Sequence, residues 1–114
     1  MTIQKFKLVT IIAEPILAKQ IKAEIRVLGS SGVTSTEVSG EGDRNLNTGE
    51  VPGNKVKIEC VVESKIALKI MEHIAEKYFD HFSVITYSQD IEILRPEKFS
   101  KPAPMSRSTQ GPKQ

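Results

Sequence analysis

Cysteine is nearly missing from this chain, and tryptophan is missing altogether. The single Cys60 has no second thiol for an internal disulfide, so a reducing, cytoplasmic setting is expected. Two histidines, His73 and His81, stand at no metal-ligand spacing from Cys60, and no metal site is expected. No apolar run approaches the roughly 20 residues that span a bilayer. Residues 1–5 lead straight into a strand pattern, without the architecture of a signal peptide. Aromatic residues make up only 5% of the chain.

The net charge of +2 is unevenly spread. Lys98, Lys101, Arg107 and Lys113 against Glu97 leave residues 97–114 at +3, and the other 96 residues at −1. A nucleic-acid-binding domain carries its positive charge on the folded part, with aromatics beside it. This chain does not, and no nucleic-acid partner is expected. Residues 1–99 are expected to form one domain. Residues 100–114, with Pro102, Pro104 and Pro112 and no periodicity, read as a disordered basic tail.

Hydrophobic content of 39% and charged content of 26% suit a globular chain with one modest core. Residues 5–13 alternate as a strand with both faces partly covered. Pro15 sits where a helix starts, its φ already set. Leu17, Ile21, Ile25 and Leu28 then follow at helical spacing, and Gly29 ends the run. Residues 33–39 form a short Thr-rich strand. The order then repeats: a strand through Val56, Ile58, Cys60 and Val62, a helix after Ser64 as N-cap, and a strand over residues 82–88 that Ile91, Ile93 and Leu94 extend or pair with. The helix buries Ala67, Ile70, Met71, Ile74, Ala75 and Tyr78. The pattern β-α-β, loop, β-α-β predicts an α+β, ferredoxin-like fold: a four-stranded antiparallel sheet with two helices on one face. The other face is left with Ile11, Val61, Ile85 and Tyr87, which predicts self-association.

Between strands two and three lie residues 40–54, polar and carrying four glycines. Hairpin loops usually take about two to five residues, so this one has a purpose beyond reversing the chain. Gly40 and Gly42 permit close backbone approach to an anion, and Arg44 adds a fork of donors. A mobile loop over about residues 41–54, holding a negatively charged ligand at its base, is the expectation.

These elements, with Gly40-x-Gly42-x-Arg44-Asn45, Thr48-Gly49-Glu50, Lys77-Tyr78-Phe79-Asp80, Ser83, Ile85-Thr86-Tyr87, Glu92, Leu94-Arg95 and Lys98-Phe99, resemble the PII signalling superfamily over about residues 5–99. The likeness is greatest to the SbtB-like, carboxysome-associated, carbon-sensing branch. It implies a homotrimer whose sheets line a central barrel, with adenine nucleotide (AMP, ADP, ATP or cyclic AMP) in clefts between subunits. Two departures stand out. The connection after the second helix has no glycine, and the long loop has no tyrosine. Both remove the basis for a glycine-lined triphosphate grip and for tyrosine nucleotidylylation. The tail also lacks the paired cysteines of some relatives.

By that resemblance Thr34, Ser35 and Thr36 read adenine and ribose from one side, while Ile85, Thr86 and Tyr87 close the other. The alternatives are polar residues on a β-prone strand and, for Ile85, core packing. Arg44 is either a phosphate contact with Gly40 and Gly42 or a solvated loop arginine. Asn45 either caps the loop or bonds ribose or phosphate. Arg95 reaches a phosphate in the neighbouring subunit's cleft or forms a surface ion pair. Thr48, Gly49 and Glu50 belong to the effector loop. Cys60, pointed into the core with no base beside it, reads as a small hydrophobe.

The expected function is non-enzymatic signalling. Nucleotide, with bicarbonate as a second ligand, governs the loop, which regulates a membrane bicarbonate transporter or other inorganic-carbon component. The expected location is the cytoplasm, with recruitment to the inner face of the membrane by that partner. A slow ATP or ADP hydrolase, or an oligomeric adaptor without a small-molecule ligand, are the alternatives.

Overall fold

A computed structural model describes residues 3–40 and 53–99. Four strands, β1 (Gln4–Ala13), β2 (Thr34–Gly40), β3 (Gly53–Val62) and β4 (Ile85–Ile93), form one sheet in the order β2-β3-β1-β4. Every neighbouring pair is antiparallel. Helix α1 (Ala18–Val27) lies against β3, and α2 (Ser64–Tyr78) against β1 and β4. This is the expected α+β, ferredoxin-like arrangement.

Residue parity sorts the sheet into two faces. Val9, Ile11 and Ala13 of β1 and Ile58, Cys60 and Val62 of β3 turn toward the helices, where Ile21, Ile25, Ala67, Ile70, Ile74 and Tyr78 meet them in one buried cluster. Ile11, expected on the uncovered face, is therefore a core residue, 1% exposed. The uncovered face receives Leu8, Ile12 and Val61, with Ile85 and Tyr87 still 55% and 41% exposed. A one-residue difference in parity moves a side chain to the opposite face.

Local chemistry explains the element ends. Pro15 opens a 3-10 turn, Pro15–Leu17, before α1 begins. At the other end of α1, Gly29 N–H donates to Arg26 O (3.1 Å) and Ser30 N–H to Ile25 O (3.0 Å), the paired bonds of a Schellman ending. Gly29 has φ of 128°, a region that side chains strain to enter. For α2 the N-cap is Glu63 rather than Ser64: Ala67 N–H already donates to Glu63 O (2.9 Å), which makes Ser64 the first helical residue. β4 begins at Ile85, later than residue 82, because His81 and Phe82 N–H both return to Tyr78 O. Those amides are used in closing α2.

A polar clasp joins the helices. Glu24 Oε1 accepts from Tyr78 OH (2.7 Å) and from His73 Nε2 (2.9 Å), and Glu24 Oε2 pairs with Lys77. The carboxylate can only accept, which puts the ring proton of His73 on Nε2. Gln20 Nε2 donates to Tyr78 OH (2.7 Å) from one turn earlier. Burial alone raises the Glu24 pKa, but hydrogen bonds from Lys77, Tyr78 and His73 outweigh it and hold the carboxyl below its ordinary range. His73 is thus half-buried and engaged across the helix pair.

At the far end of the sheet the chain after β4 folds back. Ser31 Oγ donates to Lys98 O (3.0 Å), and Phe99 meets Phe6 edge to face with ring centres 6.2 Å apart. Among the described residues no helix is long and apolar enough to cross a membrane.

Candidate functional site

The last rung between β2 and β3 pairs Gly40 with Gly53, which brings the two ends of residues 41–52 together. Beside it is a cavity of about 240 Å³ lined by Ile12, Val38, Ser39, Gly40, Lys55, Ser83 and Ile85. Ligand pockets usually span roughly 300–1,000 Å³. One chain thus supplies a partial site, open on the uncovered sheet face.

Lys55 is the cation among these lining residues. It reaches the cavity because Val38 pairs with Lys55 on the open face, two rungs in from Gly40 and Gly53. Its Nζ donates to Ser83 Oγ (3.2 Å), while Ser83 N–H donates to Glu14 Oε2 (2.7 Å). Three segments distant in sequence meet here: the end of β1, the start of β3 and the approach to β4. An ammonium, a hydroxyl and an apolar floor of Ile12, Val38 and Ile85 suit a ligand with an anionic end and an apolar body.

Register divides the residues expected to hold a nucleotide. Thr36, Lys57, Ile12 and Ile85 form one row across the open face, and Thr34, Glu59, Thr10 and Tyr87 the next. Thr34 and Thr36 therefore occupy one edge of the sheet, Ile85 and Tyr87 the other. Three inter-strand spacings separate the edges, about 14 Å. Ile85 is not packed in the core of a single chain; it is exposed and forms a wall of the cavity. Ser35 and Thr86 face the helices instead. Ser35 Oγ accepts from Lys22 Nζ (3.3 Å), and Thr86 Oγ1 donates to Thr10 O (2.9 Å). Their hydroxyls are already engaged within the chain.

Arg95 follows the end of β4 that pairs Ile93 with Gln4, opposite the end that carries Gly40. In its own chain it lies 3.9 Å from Glu97 in an exposed pair, a contact that contributes little to stability. Gly42, Arg44, Asn45, Thr48, Gly49 and Glu50 lie outside the described residues, as does the tail from residue 100.

Lys55, Ser83 and Glu14 were not singled out from the sequence as ligand contacts. Lys55 alternates with Lys57 and Glu59 as any solvated strand face would, and only the pairing with Val38 distinguishes it. Cys60 is buried, and burial pushes its thiol up to about 11 despite an opposing hydrogen bond with Ser30. A thiol of that kind is no nucleophile near neutral pH. Among the described residues no three of His, Cys, Asp and Glu gather as metal ligands, and His81 lies exposed in the turn after α2.

The model of the nitrogen regulatory protein P-II family matches residues 6–98. Among solved structures, the PII-like signalling protein TTHA0516 from Thermus thermophilus is 35% identical, with a TM-score of 0.75 over 87% of this chain and 99% of that one. CPII from Thiomonas intermedia, in a structure bound to ADP, AMP and acetate, is 20% identical, with a TM-score of 0.75 over 89% of this chain and 100% of that one. Another CPII structure, bound to ADP, AMP and bicarbonate, is 22% identical, with a TM-score of 0.74 over 88% of this chain and 98% of that one. The uncovered sheet face, with Ile85 and Tyr87 exposed on it, is consistent with the trimeric assembly of PII-like proteins. The family match over residues 6–98, on a sheet of this order with its helices on one face, makes this chain a member of the PII family.

Proposed function

We propose that this protein is a non-enzymatic, trimeric sensor that binds an adenine nucleotide between subunits and passes its ligand state to a partner through residues 41–54. The observation that carries this reading is the split across the sheet: Thr34 and Thr36 on one edge, Ile85 and Tyr87 on the other, level with each other on one face. Two such edges close a cleft only when two copies meet. The β2 edge of one subunit then contacts ribose and base through the side chains of Thr34 and Thr36 and the backbone at Ser35, whose hydroxyl is held by Lys22. Ile85 and Tyr87 of the next cover the base with their side chains, and Thr86 between them offers only its backbone. Phosphates meet Arg44, Asn45 and the backbone at Gly40 and Gly42, with Lys55 at the cavity and Arg95 arriving from the neighbour.

That CPII structures hold ADP, AMP and bicarbonate supports the same ligand classes here. Bicarbonate would share the positive base of the site. Thr48, Gly49 and Glu50 would present the effector surface. The partner we propose is a membrane bicarbonate transporter or another inorganic-carbon component, engaged from the cytoplasm as in the SbtB-like branch that the sequence resembles.

Titration calorimetry with AMP, ADP, ATP and cyclic AMP, each with and without bicarbonate, tests the reading. Arg44→Ala is expected to weaken nucleotide binding at least tenfold (about 1.4 kcal/mol). A bicarbonate-dependent affinity would tie the site to carbon sensing. Failure of every nucleotide to bind would refute the proposal.

A further inference from the structure

We infer that Glu14 sets the charge of the cavity and so selects against the more highly phosphorylated nucleotides. This rests on the nucleotide reading above and assigns its selectivity to a residue outside the cavity lining. The physical basis is the junction at Ser83. An N–H at the end of a connecting segment is an ordinary donor to a bound anion. Here the Ser83 N–H is already occupied: it donates to Glu14 Oε2 at 2.7 Å. The same residue's hydroxyl accepts from Lys55 Nζ at 3.2 Å.

One residue thus carries a carboxylate on its amide and an ammonium on its side chain. The positive charge that Lys55 brings to the cavity is offset by a negative charge just behind Ser83. Nor does the connection 79–84 contain a glycine that would let other amides close around a phosphate. At this corner of the cavity Lys55 and Glu14 cancel, so Lys55 adds little net attraction to that of the arginines, and each further phosphate adds charge that Glu14 repels. A ligand of low charge is therefore accepted at little electrostatic cost, and a triphosphate is disfavoured.

The substitution that isolates this effect is Glu14→Gln. Its amide oxygen still accepts from the Ser83 N–H, so the geometry is kept while the charge is removed. Calorimetry on the full chain with adenosine, AMP, ADP and ATP, without divalent metal, reads the result. Relative to the unaltered protein, adenosine affinity is expected to stay within about twofold, and ATP affinity to rise about tenfold, with AMP and ADP between. Glu14→Ala, which also removes the bond, is expected to shift the ranking in the same direction, and unfolding curves of both variants check that they fold. Nucleotide binding with the ranking unchanged in both variants overturns the role of Glu14 and leaves the site intact. Equal gains for adenosine and ATP also overturn it, since a charge effect must scale with phosphate. Absence of binding by all four compounds to all three forms overturns the nucleotide reading and this inference with it.

Discussion

Replacing Gly29 by alanine tests the account of how α1 ends and how the helix pair closes. Gly29 occupies the position after the helix cap with φ of 128°. A Cβ built there would lie 2.9 Å from Ile66 Cδ1 on α2. A non-glycine residue forced to positive φ costs about 1–2 kcal/mol. Ile66 Cδ1 is the end of a flexible side chain, so relief of the overlap takes the low end of overpacking costs, about 1 kcal/mol. The narrower unfolded ensemble of alanine returns about 0.5 kcal/mol. The net expectation is a loss of about 2 kcal/mol, or about 10 °C in Tm for a domain of this size. Urea unfolding and calorimetry at one fixed protomer concentration measure it, because assembly shifts apparent stability. The double variant Gly29→Ala, Ile66→Val removes the overlapping methyl and separates overlap from backbone strain. It should recover about 0.5–1 kcal/mol relative to the sum of the two single changes. A loss below about 0.5 kcal/mol for Gly29→Ala would refute the strain argument, and strict additivity would refute the contact with Ile66.

The remaining expectations concern the clasp, the thiol and the open face. Because the Glu24 carboxyl is held below its ordinary pKa, its contribution is complete above the unfolded value and is lost as pH falls through the folded one. Acid unfolding curves should therefore flatten in Glu24→Ala, which also costs about 1–3 kcal/mol at neutral pH by leaving Tyr78 OH without its acceptor; an unchanged acid limb would show that the clasp is not linked to folding. Cys60 should resist alkylation in the folded protein at pH 8 and react at the rate of unfolding, given its burial and a pKa of about 11; rapid labelling would contradict the packing. Ile85→Asp should break the proposed trimer, as sedimentation would read it, and abolish nucleotide binding together, since Ile85 lies on the open face and walls the cavity. Loss of one without the other would show that cleft and interface are separate. Lys55→Ala should weaken ADP about tenfold more than adenosine, measured by calorimetry.

Much of the fold was legible because it is written in local periodicity. The stripe Leu17, Ile21, Ile25 specified a helix and the face it buries, and Gly29 marked where the helix stops, since the φ required there is one that glycine adopts freely. The alternation Val56, Ile58, Cys60, Val62 pointed one side of β3 inward, and all but the half-buried Val56 are fully buried. Boundaries were less legible. Ser64 has the chemistry of an N-cap, yet the backbone bond from Ala67 to Glu63 moves the cap back by one. Both faces of β1 are apolar, so alternation there could not say which face meets the helices, and Ile11 lies on the helix face rather than the uncovered one.

What the sequence alone determined, then, was the kind of each element, the order of elements, the polar glycine-bearing segment between β2 and β3, and the family. Those follow from side-chain spacing and backbone preference within a few residues. The tertiary structure alone decided which edge each strand occupies, and so set Thr34 and Thr36 about 14 Å from Ile85 and Tyr87 in one chain. It alone turned Ser35 and Thr86 toward the helices. It also joined Glu14 to Ser83 across 69 residues of sequence and brought Lys55 to the same point. Such meetings depend on strand order and register, which arise from how whole faces pack, and no short stretch of sequence encodes them.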